Sequence, residues 1–179
     1  EQMGIPRKPD PNTGDNEGVS YFHVNQKHGR RWSAARAFLD PVRLRRNLRI
    51  ETGVLVESLT REGLRVTGVR FHQNGHSYEA RAQGEVILSA GAIGSVEILQ
   101  RSGIGPGAWL QDLGIPVSHA LAGVGRNLQD HLQLRMMFKV SGVKTLNKTY
   151  YNPFARLLMG TQYALLRRGP MTMAASQLA

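Results

Sequence analysis

A short apolar run that ends in small residues and leads into a helical pattern is the first segment of the chain that could do chemistry. Residues 85–90 read EVILSA, and GAIG follows at 91–94 before a helical pattern over 95–101. Small side chains let the backbone approach a ligand closely, and a helix N-terminus favours a phosphate or diphosphate. The alternative is that these residues only permit close packing of the helix on the strand. The candidate ligand contacts are Ser89, Ala90, Gly91, Ala92 and Ser95, the last also as the helix N-cap.

The six histidines show no pattern typical of a metal site or a hydrolase. The sequence contains neither an HExxH pair nor a His–Asp–Ser arrangement. It also has no cysteine, which excludes disulfides, a thiol nucleophile and thiolate metal ligands. We therefore expect no bound metal.

The net charge of +10 raises the question of nucleic-acid binding. A phosphate-binding surface would group its cations on one face, with aromatic side chains between them. Here the arginines fall in several predicted elements, and aromatic residues make up only 7% of the chain. We therefore expect no nucleic-acid partner, and a basic, non-enzymatic α/β module that binds nucleic acid or an anionic partner is kept as the alternative. The arginines concerned are Arg30, Arg31, Arg43, Arg45, Arg46, Arg49, Arg167 and Arg168.

The segment at 91–105 reads GAIGSVEILQRSGIG. It resembles the second sequence motif of the glucose–methanol–choline (GMC) oxidoreductases. Every defined position of that motif matches except Val96, where the family usually has Pro or Ser. Since proline is tolerated in the first turn of a helix, we expect the valine to change how the chain enters the helix rather than the chemistry.

Three further segments resemble the same family and occur in the same order along the chain. They are GRRWSAARAFL at 29–39, the Asn-Leu pair at 47–48 and GVGRNLQDH at 123–131. The similarity is greatest to the choline-dehydrogenase-like branch, which the residues GPMT at 169–172 also fit. The matches span at least residues 29–131, and on them the chain is identified as a member of this family.

The resemblance implies FAD as the cofactor, bound across a dinucleotide-binding domain. It implies that Val56 contacts the adenine through its backbone and that residues 89–92 line the adenosine–diphosphate side. It also places residues 127–131 near the flavin, with a packed loop held by side-chain hydrogen bonds as the alternative. The implied cofactor contacts are Val56, Ser89, Ala90, Gly91, Ala92, Ser95, Asn127, Asp130 and His131.

The resemblance also implies oxidation of a small-molecule alcohol to an aldehyde, with hydride transfer to the flavin. In the family, the histidine that removes the hydroxyl proton lies in a C-terminal segment that has no match here, so we expect no catalytic residue in this chain. The family's GxGxxG turn has no match either. We therefore expect an interior fragment of a longer enzyme; the alcohol, the electron acceptor and the compartment stay open.

A mixed α/β fold must position these residues. We expect part of a Rossmann-like FAD-binding domain with an antiparallel β-meander over 1–131, then the start of a substrate-binding domain over 132–179. The Asn-Gly pair at 74–75 is a strong hairpin signal within the meander. The apolar run at 85–90 is typical of a strand buried on both faces of a parallel sheet. Strands are predicted at 21–25, 47–56, 64–72, 77–82, 85–90 and 132–140, and helices at 34–39 (with Ser33 as N-cap), 95–101, 108–113 and 152–168.

Overall fold

The computed structural model describes residues 4–15, 17–132, 134 and 139–173. The chain divides into two compact units. The first unit comprises Glu1–Arg49 and Met137–Ala179, and the second comprises Ile50–Met136. The predicted boundary between a flavin-binding and a substrate-binding domain at residues 131 and 132 stays a prediction.

Short strands and helices alternate along the chain, with a longer meander in the middle. The strands are β1 (Gln26–Lys27), β2 (Arg30–Arg31), β3 (Val54–Glu62), β4 (Arg65–Gln73), β5 (His76–Arg81), β6 (Ile104–Gly105) and β7 (His119–Ala120). The α-helices are α1 (Gly91–Arg101), α2 (Gly107–Asp112), α3 (Leu146–Tyr151) and α4 (Pro153–Leu166). The described residues also contain a π-helix at Ala35–Leu39 and 3₁₀ turns at Asp40–Val42 and Pro170–Thr172.

The first unit contains the β1–β2 hairpin and the α3–α4 helix pair. The strand predicted at 21–25 is wrong, because the chain pairs the residues on either side of the turn at 28–29 instead. The helix predicted at 34–39 forms as the π-helix, and the Ser33 hydroxyl accepts a hydrogen bond from the Arg36 amide at 3.4 Å. The helix predicted at 152–168 is confirmed as α4, capped by the Asn152 side chain at the Ala155 amide, 3.1 Å away.

The second unit is built on the antiparallel meander β3–β4–β5, which confirms the predicted three-stranded arrangement. Residues Asn74 and Gly75 form the predicted turn between β4 and β5. β3 begins at Val54 rather than at residue 47, because the backbone bends at Gly53. Register shifts between Val56 and Ser58, and between Thr60 and Arg61, interrupt the pairing of β3 with β4.

The strand predicted at residues 85–90 is wrong. This segment has no strand assignment, and Ile87 is 77% exposed. A strand in a parallel sheet needs backbone partners at its sides, and none of the described strands pairs with this segment. The described residues contain one parallel strand pair, β6 with β7, two residues long on each side.

α1 packs on β3, and α2 follows it closely through β6. The large apolar side chains buried in the described part of the chain are Ile98 of α1 and Leu110 of α2, the latter completely. The helix predicted at 108–113 is confirmed as α2, which begins and ends one residue earlier than predicted. Five of the nine residues of the strand predicted at 132–140 lie outside the described residues.

Candidate functional site

The N-terminus of α1 is formed by the small residues that the sequence singled out. Ser89, Ala90, Gly91 and Ala92 are exposed, and α1 begins at Gly91 with Ala90 as its N-cap. Gly91 has φ +85°, and a Cβ added to it would meet no atom within 4 Å. The glycine is therefore required by its backbone conformation, and the space above it is open to a ligand.

Ser95 does not cap α1, contrary to the prediction. It lies inside the helix, and its hydroxyl accepts a hydrogen bond from the Ala90 amide at 3.0 Å. The first amides of a helix have no partner within the helix, so this bond satisfies the donor that immediately precedes α1. The Ser95 side chain therefore holds the turn that leads into the helix.

A groove of about 1090 Å³ runs along one side of α1. Two of the predicted contacts, Ala92 and Asn127, line this groove. Most of its other lining side chains are apolar and come from α1, from α2 and the residues that directly follow it, and from the loop at 123–129. They include Ile93, Val96, Trp109, Leu113, Ile115, Val124 and Leu128.

The loop at 123–129 packs directly on α1. A Cβ at Gly125 would lie 2.9 Å from the side-chain nitrogen Nε2 of Gln100 and 3.1 Å from Cγ1 of Val96. The GVGRNLQDH segment and the GAIGSVEILQRSGIG segment therefore touch each other. The contact falls at Val96, the position that departs from the usual motif.

The groove carries three charged side chains on α1 and the neighbouring loop. Arg101 and Glu97 form an ion pair at 2.6 Å, one helical turn apart. Arg126, on the loop at 123–129, also lines the groove and is exposed.

Asp130 and His131 lie outside the groove. Both are exposed, and the Asp130 carboxylate accepts a hydrogen bond from the His131 amide at 2.8 Å. This local bond favours the alternative of a loop held by its own side chains. The structure does not bring these two residues to the groove lining.

Val56 lies in β3, half-buried and paired with Phe71 of β4. The register shift that follows it lies between Val56 and Ser58. Such bulges bend a strand and re-aim its neighbouring residues. β3 is an edge strand in the order β3–β4–β5, so one side of its backbone has no ladder partner among the described strands.

The structural role of the SGIG segment was missed by sequence reasoning. The Ser102 hydroxyl donates to the Ile98 carbonyl at 2.6 Å and accepts from the Leu59 amide at 2.8 Å. The Gly103 carbonyl accepts a hydrogen bond from the Ser118 amide at 2.8 Å; these two residues directly precede β6 and β7, which pair with each other. The motif itself was visible in the sequence, but its partners 15 and more residues away were not.

The described residues contain no cluster of three His, Asp or Glu side chains able to hold a metal ion. Within the same residues, no helix is long and apolar enough to cross a membrane.

The GMC oxidoreductase family matches residues 1–133 of the chain. An oxygen-dependent choline dehydrogenase of Chromohalobacter salexigens is 47% identical over 141 residues, which is 78% of this chain and 25% of that protein. The mitochondrial choline dehydrogenase of Homo sapiens is 40% identical over 163 residues, covering 91% of this chain and 27% of that protein.

Among solved structures, an FAD-dependent oxidoreductase from Chaetomium thermophilum is similar with a TM-score of 0.88 and 30% identity. The similarity covers 99% of this chain and 32% of that one. The chain thus spans about a quarter to a third of the length of the proteins it matches. Nothing in these matches supports the alternative of a nucleic-acid-binding module.

Proposed function

Because the chain belongs to the GMC oxidoreductase family, we propose that it supplies the adenine and diphosphate side of an FAD site in an alcohol-oxidising enzyme. Its relatives carry the name choline dehydrogenase. We propose a small alcohol of the choline type as the substrate of the complete enzyme and an aldehyde as its product.

The observation that carries this proposal is the N-terminus of α1, which begins with Gly91 and has open space around it. An eleven-residue helix directs its first unpaired amides toward the exposed segment at 89–92. Amides at a helix N-terminus bind phosphate oxygens, and the helix dipole favours negative charge there. The absence of any atom within 4 Å of a Cβ at Gly91 leaves room for such a group. The residues therefore fit a dinucleotide cofactor.

The roles proposed for the chain's own residues follow from their positions. The backbone at Gly91 and Ala92 would donate to the diphosphate, and the β3 backbone at Val56 would contact the adenine. Ser95 would hold the turn before α1 in shape through its bond to the Ala90 amide. FAD, when bound, supplies the acceptor for the hydride that leaves the alcohol carbon.

The contacts proposed at residues 127–131 differ in their support. Asn127 lines the groove beside α1, with φ +58°, and a ligand in the groove would reach it. Asp130 and His131 are exposed outside the groove lining. For them the proposal rests on the motif alone.

Titration of the purified chain with FAD tests this function, with flavin fluorescence and melting temperature followed together. Saturable quenching with a raised melting temperature is expected, because a ligand that binds only the folded state stabilises it. FMN, which lacks the adenosine, is the matched control and should bind more weakly. Equal binding of FMN and FAD, or no saturation with FAD, would contradict the adenine-side assignment.

A second assay tests whether the chain by itself oxidises an alcohol. We expect the chain to reduce no dye in the presence of choline and FAD, because the family's catalytic segment has no counterpart in it. Steady, alcohol-dependent dye reduction by the purified chain would overturn this expectation.

A further inference from the structure

Ser102 joins the end of α1 to the edge of β3 through one hydroxyl group. The hydroxyl oxygen lies 2.6 Å from the Ile98 carbonyl oxygen and 2.8 Å from the Leu59 amide nitrogen. It donates to the first and accepts from the second. Leu59 lies three residues beyond Val56 in β3, and Ile98 lies one turn before the end of α1.

We propose that Ser102 is a positioning residue that sets the angle of α1 against β3, and through it the span between the two halves of the FAD site. The inference rests on the proposed function for its ligand. It goes beyond that function because Ser102 itself contacts neither half of the site.

The two backbone partners of the Ser102 hydroxyl differ in what else binds them. The Leu59 amide bonds outside the β3–β4 ladder, to the Ser102 hydroxyl, whereas the Ile98 carbonyl also accepts the Ser102 backbone amide at 3.1 Å. A backbone amide that is removed from water and has no partner destabilises the arrangement that strands it. Alanine at this position would therefore leave the Leu59 amide without its partner, while the Ile98 carbonyl would keep its bond from the backbone amide of residue 102.

The C-terminal end of α1 is held more firmly than its N-terminal end. Gly103, directly after Ser102, is buried, and a Cβ there would lie 2.3 Å from the Pro116 carbonyl oxygen. At the other end, the space around Gly91 is open. The contacts at Ser102 and Gly103 therefore fix the C-terminal end of α1, about which its N-terminus can tilt.

The length of the helix converts a small error in angle into a large displacement. Eleven residues at 1.5 Å each make α1 about 16 Å long, so a tilt of about 10° would move its N-terminus by about 3 Å. A shift of about 1 Å already weakens a preorganised site. A ligand that binds β3 and the α1 N-terminus at once is sensitive to this shift, whereas a ligand that binds β3 alone is not.

The first test compares Ser102→Ala with Ser102→Thr, which keeps the hydroxyl. The matched control is Thr161→Ala, which also removes a hydroxyl bonded to helix carbonyls, at 3.2 Å and 2.9 Å, but has no strand partner there. Calorimetry with FAD and with adenosine gives the affinities. Ser102→Ala should lower the affinity for FAD about tenfold and the affinity for adenosine less than about twofold. Ser102→Thr should retain most of the affinity for FAD.

The second test needs no ligand. Because the chain has no cysteine, Leu55→Cys and Ile93→Cys place the only two thiols near the two halves of the site, at positions that are 64% and 73% exposed. Spin labels there report the distance between β3 and the start of α1. With Ser102 the distance distribution should be narrow; Ser102→Ala should broaden it, Ser102→Thr should restore it, and Thr161→Ala should leave it unchanged.

The outcomes separate the two ideas. An unchanged distance distribution in Ser102→Ala, or equal losses for FAD and adenosine, would overturn the positioning role. Failure of the unsubstituted chain to bind FAD would instead overturn the proposed function, and the spin-label distances would then decide the role of Ser102 by themselves.

Discussion

Gly103 combines a left-handed backbone conformation with a close approach of other backbone atoms. It has φ +75°, and a Cβ there would lie 2.3 Å from the Pro116 carbonyl oxygen and 2.6 Å from the Ser118 hydroxyl. Gly114 has a similar φ of +70° but meets no atom within 4 Å. Comparing substitutions at these two glycines separates the energetic cost of the backbone conformation from that of the steric clash.

We predict that Gly103→Ala destabilises the chain by more than about 3 kcal/mol, whereas Gly114→Ala costs about 1–2 kcal/mol. The alanine at 103 must relieve a clash with backbone, while the alanine at 114 carries only the left-handed strain. Urea unfolding followed by circular dichroism measures both. Equal losses would show that the close approach around Gly103 has no energetic weight.

Asp15 provides a pH-dependent test in the first unit. A hydrogen bond from the Lys8 ammonium, with a second from the Glu17 amide, holds the pKa of the Asp15 carboxyl below its ordinary value. A lowered folded-state pKa means that the carboxylate stabilises the fold above the ordinary carboxyl pKa. That contribution is lost as the pH falls through the lowered pKa.

We predict that Lys8→Met raises the pKa of Asp15 toward its ordinary value, while Lys8→Arg keeps it low. The methionine removes the donor and the charge, and arginine retains both. NMR titration of the Asp15 carboxyl carbon gives the midpoints. The same midpoint in Lys8→Met as in the unsubstituted chain would show that the pair does not form in solution.

At the scale of the elements, the contact between α1 and the loop at 123–129 is the one that shapes the groove. It depends on the absence of a side chain at Gly125, which faces Val96 and Gln100. Small-to-large changes at such a packed contact displace the neighbouring element. The groove lining, including Asn127, would move with the loop.

We predict that Gly125→Ala destabilises the second unit and weakens the binding of FAD. Adding Val96→Ala should recover part of the lost stability. The recovery follows because the new methyl group would otherwise lie 3.1 Å from the Val96 Cγ1. A double-mutant cycle by urea unfolding measures the coupling. Strictly additive effects would mean that the two segments do not touch.

At the scale of the whole molecule, large apolar side chains lie exposed in both units. Leu44 is 95% exposed and Phe38 is 77% exposed. The matched relatives are about three times as long as this chain, so in those proteins further polypeptide is available to cover such side chains.

We predict that the purified chain binds the dye ANS and unfolds over a broad temperature range. Exposed apolar patches bind ANS, and a small buried core gives a small enthalpy of unfolding. Dye fluorescence and scanning calorimetry are the measurements. A sharp transition without ANS binding would show that the chain covers these side chains by itself, for example by self-association.

The sequence by itself determined the family, the mixed α/β class and the meander. These follow from local signals: the motif at 91–105, the Asn-Gly turn at 74–75 and alternating strands close together in the chain. Such features need only neighbouring residues, because turn conformation and side-chain alternation are local properties. The cofactor contacts predicted at Val56, at 89–92 and at the later motif stay predictions.

Only the tertiary structure decided which groups meet. Residues 85–90 make no strand, because a strand needs partners that sequence patterns do not reveal. Ser95 was predicted as a cap and instead bonds back to Ala90, while Ser102 bonds to Leu59, 43 residues earlier. The physical reason is that a hydrogen bond between distant residues depends on how whole elements pack, and no local propensity encodes that.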